Sequence, residues 1–109
     1  MRRVKRRYLA LWVDSEGVPS RKELIDAVWN AVTKLYGEHG ASLTSLALID
    51  YDLEGKTAVL RVSLASLGLV RASLASITSV AGSEAAVHVL AVSGTIKALT
   101  RKLRGNGKR

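Results

Sequence analysis

The chain has 109 residues, of which 48% are apolar, and this is enough for one domain with a single hydrophobic core. It contains no cysteine and no long uninterrupted apolar run, which excludes disulfides, thiolate metal sites and a membrane-spanning helix. No secretory signal is recognisable, so we expect a single cytoplasmic domain over residues 1–109 with no membrane partner.

The positive charge is concentrated at the two ends of the chain. The net charge is +8, yet the six basic and nine acidic residues between positions 8 and 96 leave that part of the chain at −3. The excess lies before residue 8, in a basic N-terminal arm of residues 1–6 and in Arg7, and in residues 97–109, of which 104–109 are expected to form a loose tail. This distribution is typical of a protein that binds a polyanion such as RNA, although solvated ends that only aid solubility are the alternative.

The first half of the chain alternates between strand and helix patterns. Residues 7–14 are rich in Leu, Tyr, Trp and Val and predict a strand. Ser20 and Glu23 form a capping box at the start of a helical pattern over residues 21–36, which two glycines close. Residues 43–52 predict a second strand.

The second half repeats the pattern and adds a helix. After a hairpin turn, residues 56–64 predict a third strand, and apolar spacing over residues 67–77 predicts a helix that stops before Gly82. Residues 84–92 predict a fourth strand, and residues 95–103 a third helix. The order β-α-β-β-α-β-α predicts an α+β, ferredoxin-like (RRM-like) sandwich with an antiparallel sheet of order 4-1-3-2 and a C-terminal helix.

Two helices can cover only one face of this sheet. Leu9, Leu11 and Val13 share one side of the first strand and are expected to lie under the helices. Trp12 and Arg61 would then lie on the open face. The alternative is that the third helix covers this face and makes Trp12 part of a core.

The third helix has an apolar stripe for its own packing and a cationic stripe for a polyanion. The third strand has no aromatic residue, so contacts to RNA phosphates by Arg and Lys are expected instead of base stacking. The residues predicted to bind RNA are Arg2, Arg3, Lys5, Arg6, Arg7, Arg61, Lys97, Arg101, Lys102 and Arg104.

No catalytic or metal-binding constellation is visible in the sequence. Asp50, Asp52 and Glu54 look like the opening of a calcium loop, but the position that needs a bidentate Glu is Arg61. The two histidines have no cysteine companions. We therefore predict no catalytic residue and no metal site in this chain.

The first helix is more apolar than one packed face requires. One apolar line, which ends at Leu35, is expected to face the sheet. Ile25, Trp29 and Tyr36 form an adjacent shoulder that is a candidate protein-partner interface. Burial of this shoulder against the second helix is the alternative.

Six segments of the chain resemble the archaeal ribonuclease P protein component 2 family, the counterpart of a small eukaryotic ribonuclease P/MRP subunit. The most specific is Val-Ser-Gly-Thr-Ile-Lys at 92–97. The others are Lys-Arg-Arg-Tyr at 5–8, Ala-Val-Trp-Asn-Ala at 27–31, Leu-Tyr-Gly-Glu at 35–38, Leu-Ile-Asp-Tyr-Asp at 48–52 and Leu-Arg-Val at 60–62.

The resemblance implies a subunit of the ribonucleoprotein that removes 5′ leaders from precursor tRNA. It implies that the RNA subunit performs hydrolysis with bound Mg²⁺, while this chain binds no cofactor itself. The implied partners are the ribonuclease P RNA and a larger protein subunit, component 3, with a homodimer or heterotetramer as candidate assemblies and precursor tRNA contacted indirectly. A ferredoxin-like ligand-sensing or dimerisation module that does not bind RNA is the alternative, but it would not explain the two cationic ends.

Overall fold

The computed structural model describes the backbone of residues 5–107 and the side chains of residues 5–104. One antiparallel sheet has the strand order β2-β3-β1-β5-β4. Its strands are β1 (Arg6–Ser15), β2 (Ala47–Asp52), β3 (Thr57–Ser63), β4 (Ser79–Val80) and β5 (Ser83–Ser93). The helices are α1 (Arg21–Ser42), α2 (Leu67–Ala75) and α3 (Ile96–Gly107), and a single 3-10 turn (Leu64–Ser66) leads into α2.

The predicted ferredoxin-like fold is confirmed. The four predicted strands are β1, β2, β3 and β5, and their order in the sheet is the expected one. The short strand β4 is an addition at the edge, joined to β5 by a two-residue turn. Ala81 and Gly82 in this turn have φ angles of 53° and 81°, as a type I′ hairpin requires.

Helix α1 begins at the predicted capping box and continues further than predicted. The backbone N–H of Glu23 donates to the Ser20 hydroxyl at 3.1 Å, and the backbone N–H of Ser20 donates to the Glu23 carboxylate at 2.8 Å. Gly37 has a φ of 77°, which breaks the helical path, but helical structure resumes up to Ser42. Glycine permits this left-handed backbone because it has no Cβ.

The main core lies between the sheet and the helices α1 and α2. Leu9, Leu11 and Val13 are fully buried, as predicted, and Leu9 lies directly opposite the equally buried Leu60 of β3. We call this side of the sheet the helix face. The other side is called the outer face, and in β1 it carries Tyr8, Ala10, Trp12 and Asp14.

Helix α3 covers part of the outer face and leaves the rest exposed. It packs against β5 and β1 and buries Leu99, which lies outside the main core cluster. Ala10 is also buried and also lies outside that cluster, as expected if α3 crosses over it. Trp12 remains 38% exposed, so each of the two sequence hypotheses for this face holds for one part of it.

One expected core position of α1 is wrong. Leu24, Val28 and Val32 are buried, but Leu35 is 49% exposed. The break at Gly37 redirects the chain, so that Ala41 is the next buried residue after Val32. Within the described chain, none of the three helices combines the length and apolarity needed to cross a bilayer.

Candidate nucleic-acid interface

The segment between β5 and α3 lies against the beginning of β1. Tyr8 pairs with Ser93 in antiparallel register, and the Arg7 guanidinium lies 3.5 Å from the position that a Cβ would take on Gly94. Thr95 caps α3, because its hydroxyl accepts from the backbone N–H of Ala98 at 3.1 Å. The Ser-Gly-Thr sequence therefore supplies a strand end, a contact with Arg7 and a helix cap.

This pairing brings the start of β1 beside the start of α3, as predicted. Arg61 of β3 lies across from Tyr8 on the other side of β1. The cations of β1 and β3 and the start of α3 thus lie at the same end of the central strands. We call these residues the basic surface, and they are Arg6, Arg7, Arg61, Lys97, Arg101 and Arg104.

The cationic stripe of α3 faces solvent. Lys97, Arg101 and Arg104 line one shallow groove together with Thr100, and all four side chains are exposed. The sequence analysis missed Thr100, whose signal was its spacing three residues after Lys97 on the same helix face.

Lys102 has a different position from the other predicted RNA-binding residues. Its ammonium group donates to the carbonyl of Val92 at 2.6 Å, which connects α3 to the end of strand β5. Lys5 is exposed, and its carbonyl accepts from the backbone N–H of Leu64. Arg2 and Arg3 lie outside the described residues.

The basic surface is not neutralised by neighbouring carboxylates. Among the described residues, the contacts within 4 Å between acidic and basic side chains are Lys22 with Asp26 and His88 with Asp14, neither of which involves the basic surface. Arg61 is half-buried, and its Nε is shielded from solvent with no hydrogen-bond partner in the described chain. A partly buried cation without a counter-charge favours binding of an external anion.

The acidic residues that resembled a calcium loop lie at the end of β2 and in the hairpin turn that follows it. The Asp52 carboxylate accepts from the backbone N–H of Glu54 at 3.1 Å, and the Asp50 carboxylate accepts from the backbone N–H of Tyr51 at 3.0 Å. Between residues 5 and 104, no group of three or more His, Asp or Glu side chains is arranged to hold a metal ion.

The predicted partner shoulder of α1 is divided by the structure. Ile25 and Trp29 are half-buried and pack against the main core, which leaves them little free surface. Tyr36 is 42% exposed, and the exposed Leu35 and Leu43 lie near the same end of α1. Tyr36 is therefore the member of the shoulder that is available to a partner.

The model of the Rpp14/Pop5 family matches residues 7–104, which include β1 and the basic surface except for Arg6, and most of α3. The chain belongs to the Rpp14/Pop5 family. This agrees with the resemblance found in the sequence.

Curated relatives agree with this assignment, and one solved structure shares the fold. Ribonuclease P protein component 2 of Pyrococcus furiosus is 37% identical over 100 residues, which cover 92% of this chain and 83% of that protein. The protein of the same name from Methanosarcina mazei is 35% identical over 100 residues, covering 92% of this chain and 84% of its own length. A chain in the cryo-EM structure of yeast ribonuclease MRP has a TM-score of 0.71 over 99% of this chain and 98% of its own length. Its sequence identity is 17%, so this likeness concerns the fold.

Proposed function

We propose that this member of the Rpp14/Pop5 family is a cytoplasmic subunit of ribonuclease P that binds the catalytic RNA through the basic surface. The observation that carries the proposal is that cations of β1, β3 and the start of α3 lie at the same end of the central strands and have no carboxylate partner among the described residues. Its relatives carry the name Ribonuclease P protein component 2. A ligand-sensing module of the same fold would have no need for this arrangement.

The physical role of the basic surface is to neutralise phosphates. Each phosphate that pairs with Arg or Lys releases a condensed counterion, so binding is strong at low salt and weakens as salt rises. Guanidinium groups on α3 and β1 would hold two RNA segments close together against their mutual repulsion. Hydrolysis of the precursor tRNA would remain with the RNA subunit and its Mg²⁺, and this chain would lower the Mg²⁺ concentration that the RNA requires.

The proposal is tested by reconstituting 5′ cleavage of precursor tRNA. The reaction is measured over a range of Mg²⁺ concentrations with the RNA subunit and component 3, in the presence and absence of this chain. We expect the chain alone to be inert and its addition to shift cleavage to lower Mg²⁺. Correct cleavage by the isolated chain, or an unchanged Mg²⁺ dependence, would contradict the proposal.

The exposed end of α1 is the proposed contact with the larger protein subunit, component 3, in a heterodimer or heterotetramer. Aromatic residues are common anchors of protein interfaces. Tyr36→Ala is expected to weaken heteromer formation by about 1–3 kcal/mol if Tyr36 is such an anchor. Leu53→Ala is the matched control, because Leu53 is also exposed but lies in the β2–β3 turn. Equal affinity for both variants, measured by titration calorimetry, would place the interface elsewhere.

A further inference from the structure

The outer face has a second exposed region at the opposite end of β1 from the basic surface. Trp12 is paired in register with His88 of β5 and with Thr57 of β3. The rings of Trp12 and His88 are stacked, with centroids 5.2 Å apart and an interplanar angle of 24°. Both side chains are exposed, so the pair presents a flat aromatic surface that α3 does not cover.

Carboxylates surround this aromatic pair. Asp14 follows Trp12 on the same side of β1, and one of its oxygens lies 3.7 Å from Nε2 of His88. Asp52 lies across from Thr57 on β2. We call this region the acidic end, and it comprises Trp12, Asp14, Asp52, Glu84 and His88.

A cleft of about 470 Å³ continues from the acidic end, and Asp14, Glu16 and Glu84 line it. The basic group on the nearby hairpin, Lys56, directs its ammonium at the carbonyl of Ser15. Glu16, Asp52 and Glu84 have no basic side chain within 4 Å among the described residues, and Asp14 has only His88. Their combined field repels phosphate and attracts a cation.

We propose that the acidic end binds an arginine-bearing segment of a protein partner. A guanidinium can stack on an aromatic ring through a cation–π contact and at the same time donate two parallel hydrogen bonds to a carboxylate. Trp12 with His88 provides the ring surface, and Asp14 and Asp52 provide acceptors on either side of it. The inference does not depend on the proposed RNA contacts, which lie at the other end of the sheet.

Charge and distance both indicate that the segment bound at the acidic end belongs to another protein. Arg6 and Trp12 are about 20 Å apart along β1, and the chain before Arg6 leaves β1 at the end away from Trp12. RNA is disfavoured because its phosphates would approach unpaired carboxylates. A separate polypeptide with exposed arginine satisfies both the aromatic surface and the charge.

The test is a titration of the ¹⁵N-labelled full chain followed by NMR, with acetyl-Gly-Arg-Gly-Arg-Gly-amide as the probe. The chain has two tryptophans, so the indole N–H signal of Trp12 reports on the site, and that of the half-buried Trp29 is an internal control. We expect a saturable shift of the Trp12 signal only. The same peptide with lysine in place of arginine should bind more weakly, because an ammonium cannot stack as a plane.

Variants separate the aromatic and electrostatic contributions. With the backbone amide of Thr57 as reporter, Trp12→Leu should weaken peptide binding about fivefold. Asp14→Asn and Asp52→Asn should each weaken it about threefold. Glu38→Gln removes an exposed carboxylate from α1 and should change nothing. If Trp12→Leu does not fold, the two Asn variants measured against Glu38→Gln decide the question.

Four outcomes would overturn the proposal. A shift of the Trp12 signal with decauridylate and not with the peptide would assign the surface to an unpaired RNA base. A shift on dilution without any probe would assign it to a second copy of this chain. An unmoved Trp12 signal with the arginine peptide, or equal binding by all variants, would leave the acidic end without the proposed ligand.

Discussion

The two faces of the sheet place neighbouring residues of the same strand in different surroundings. On the helix face, Leu11 is fully buried among apolar side chains. On the outer face, on which α3 packs, the adjacent Ala10 is buried, while Trp12 is exposed beside the Asp14 carboxylate. The core of the helix face is apolar, and α1 and α2 exclude water from it. The outer face is only partly covered, and it carries basic residues at one end of the strands and acidic residues at the opposite end. A single strand therefore contributes to stability on one side and presents charge on the other.

The largest expected effect is the cost of truncating a side chain on the helix face. Leu11→Ala removes buried methyl groups from a packed core and should lower the free energy of unfolding by about 3 kcal/mol. Trp12→Leu, one residue further along β1, should cost less than about 1 kcal/mol because the site is partly exposed. Urea denaturation of both variants measures the difference. Equal losses would mean that the two faces contribute equally to stability.

The next prediction concerns the charge of the outer face. Replacing Lys97, Arg101 and Arg104 together with Ala should flatten the log–log salt dependence of RNA affinity by roughly 2. If both proteins bind equally at 1 M salt, the variant should then bind about 100-fold more weakly than wild type at 0.1 M. Stability should change little, because Leu99 on the other side of α3 is retained.

Fluorescence anisotropy with labelled ribonuclease P RNA at several salt concentrations measures this slope. The matched control replaces three exposed cations on the helices that cover the helix face, and these are Lys22, Lys34 and Arg71. If both triple variants flatten the slope equally, binding depends on net charge and not on the basic surface.

A smaller effect is expected where α3 packs on the outer face. Leu99 is 1% exposed, whereas Ile96, one turn earlier, is 45% exposed. Leu99→Ala should destabilise the docking of α3 by about 2 kcal/mol, and Ile96→Ala should cost less than about 0.5 kcal/mol. Hydrogen exchange of the α3 amides should accelerate in the first variant alone. Acceleration throughout the sheet would instead show that α3 and the main core unfold together.

The smallest effect lies at the edge of the helix face, where Tyr51 donates a hydrogen bond to the carbonyl of Pro19 at 2.7 Å. Burial, and secondarily the Glu23 carboxylate, raises the pKa of Tyr51 above its ordinary value of 10.0. The fold thus favours the neutral phenol, so this stabilisation is complete below pH 10 and is lost as pH rises through the raised pKa. Tyr51→Phe should cost about 1 kcal/mol at pH 7.

The difference in unfolding free energy between wild type and Tyr51→Phe should shrink above pH 10. Urea denaturation at pH 8 and at pH 10.5 checks this. A difference that stays constant across that range would show that Tyr51 ionises equally well in the folded and unfolded chain.

Regular alternation and local capping were sufficient to predict most of the fold. Leu9, Leu11 and Val13 mark the helix face because every second residue of a strand points the same way. Ser20 and Glu23 mark the start of α1 because their hydrogen bonds involve only neighbouring residues. The position of the start of β1 beside the start of α3 followed from the predicted strand order alone.

Features that depend on tertiary geometry could not be predicted in this way. Ile96 and Leu99 lie on one apolar stripe of the helix, and only the docking angle of α3 decides that Leu99 is the buried one. The stacking of Trp12 on His88 depends on a register shift between Ala10 and Leu11 in the β1–β5 pairing. Nothing in the local sequence specifies where such a bulge occurs.

The central position of β1 in the sheet also constrains how the chain can fold. Tyr8 must pair with Arg61 on one side and with Ser93 on the other, so the first of the five described strands is completed only when the fifth has been synthesised. Closing these long loops costs entropy before the contacts form, which slows folding relative to a protein with local contacts. Until β5 arrives, one edge of β1 is unpaired and can associate with other chains. Truncations that end before residue 93 should therefore aggregate during synthesis, even when they retain most of the apolar core.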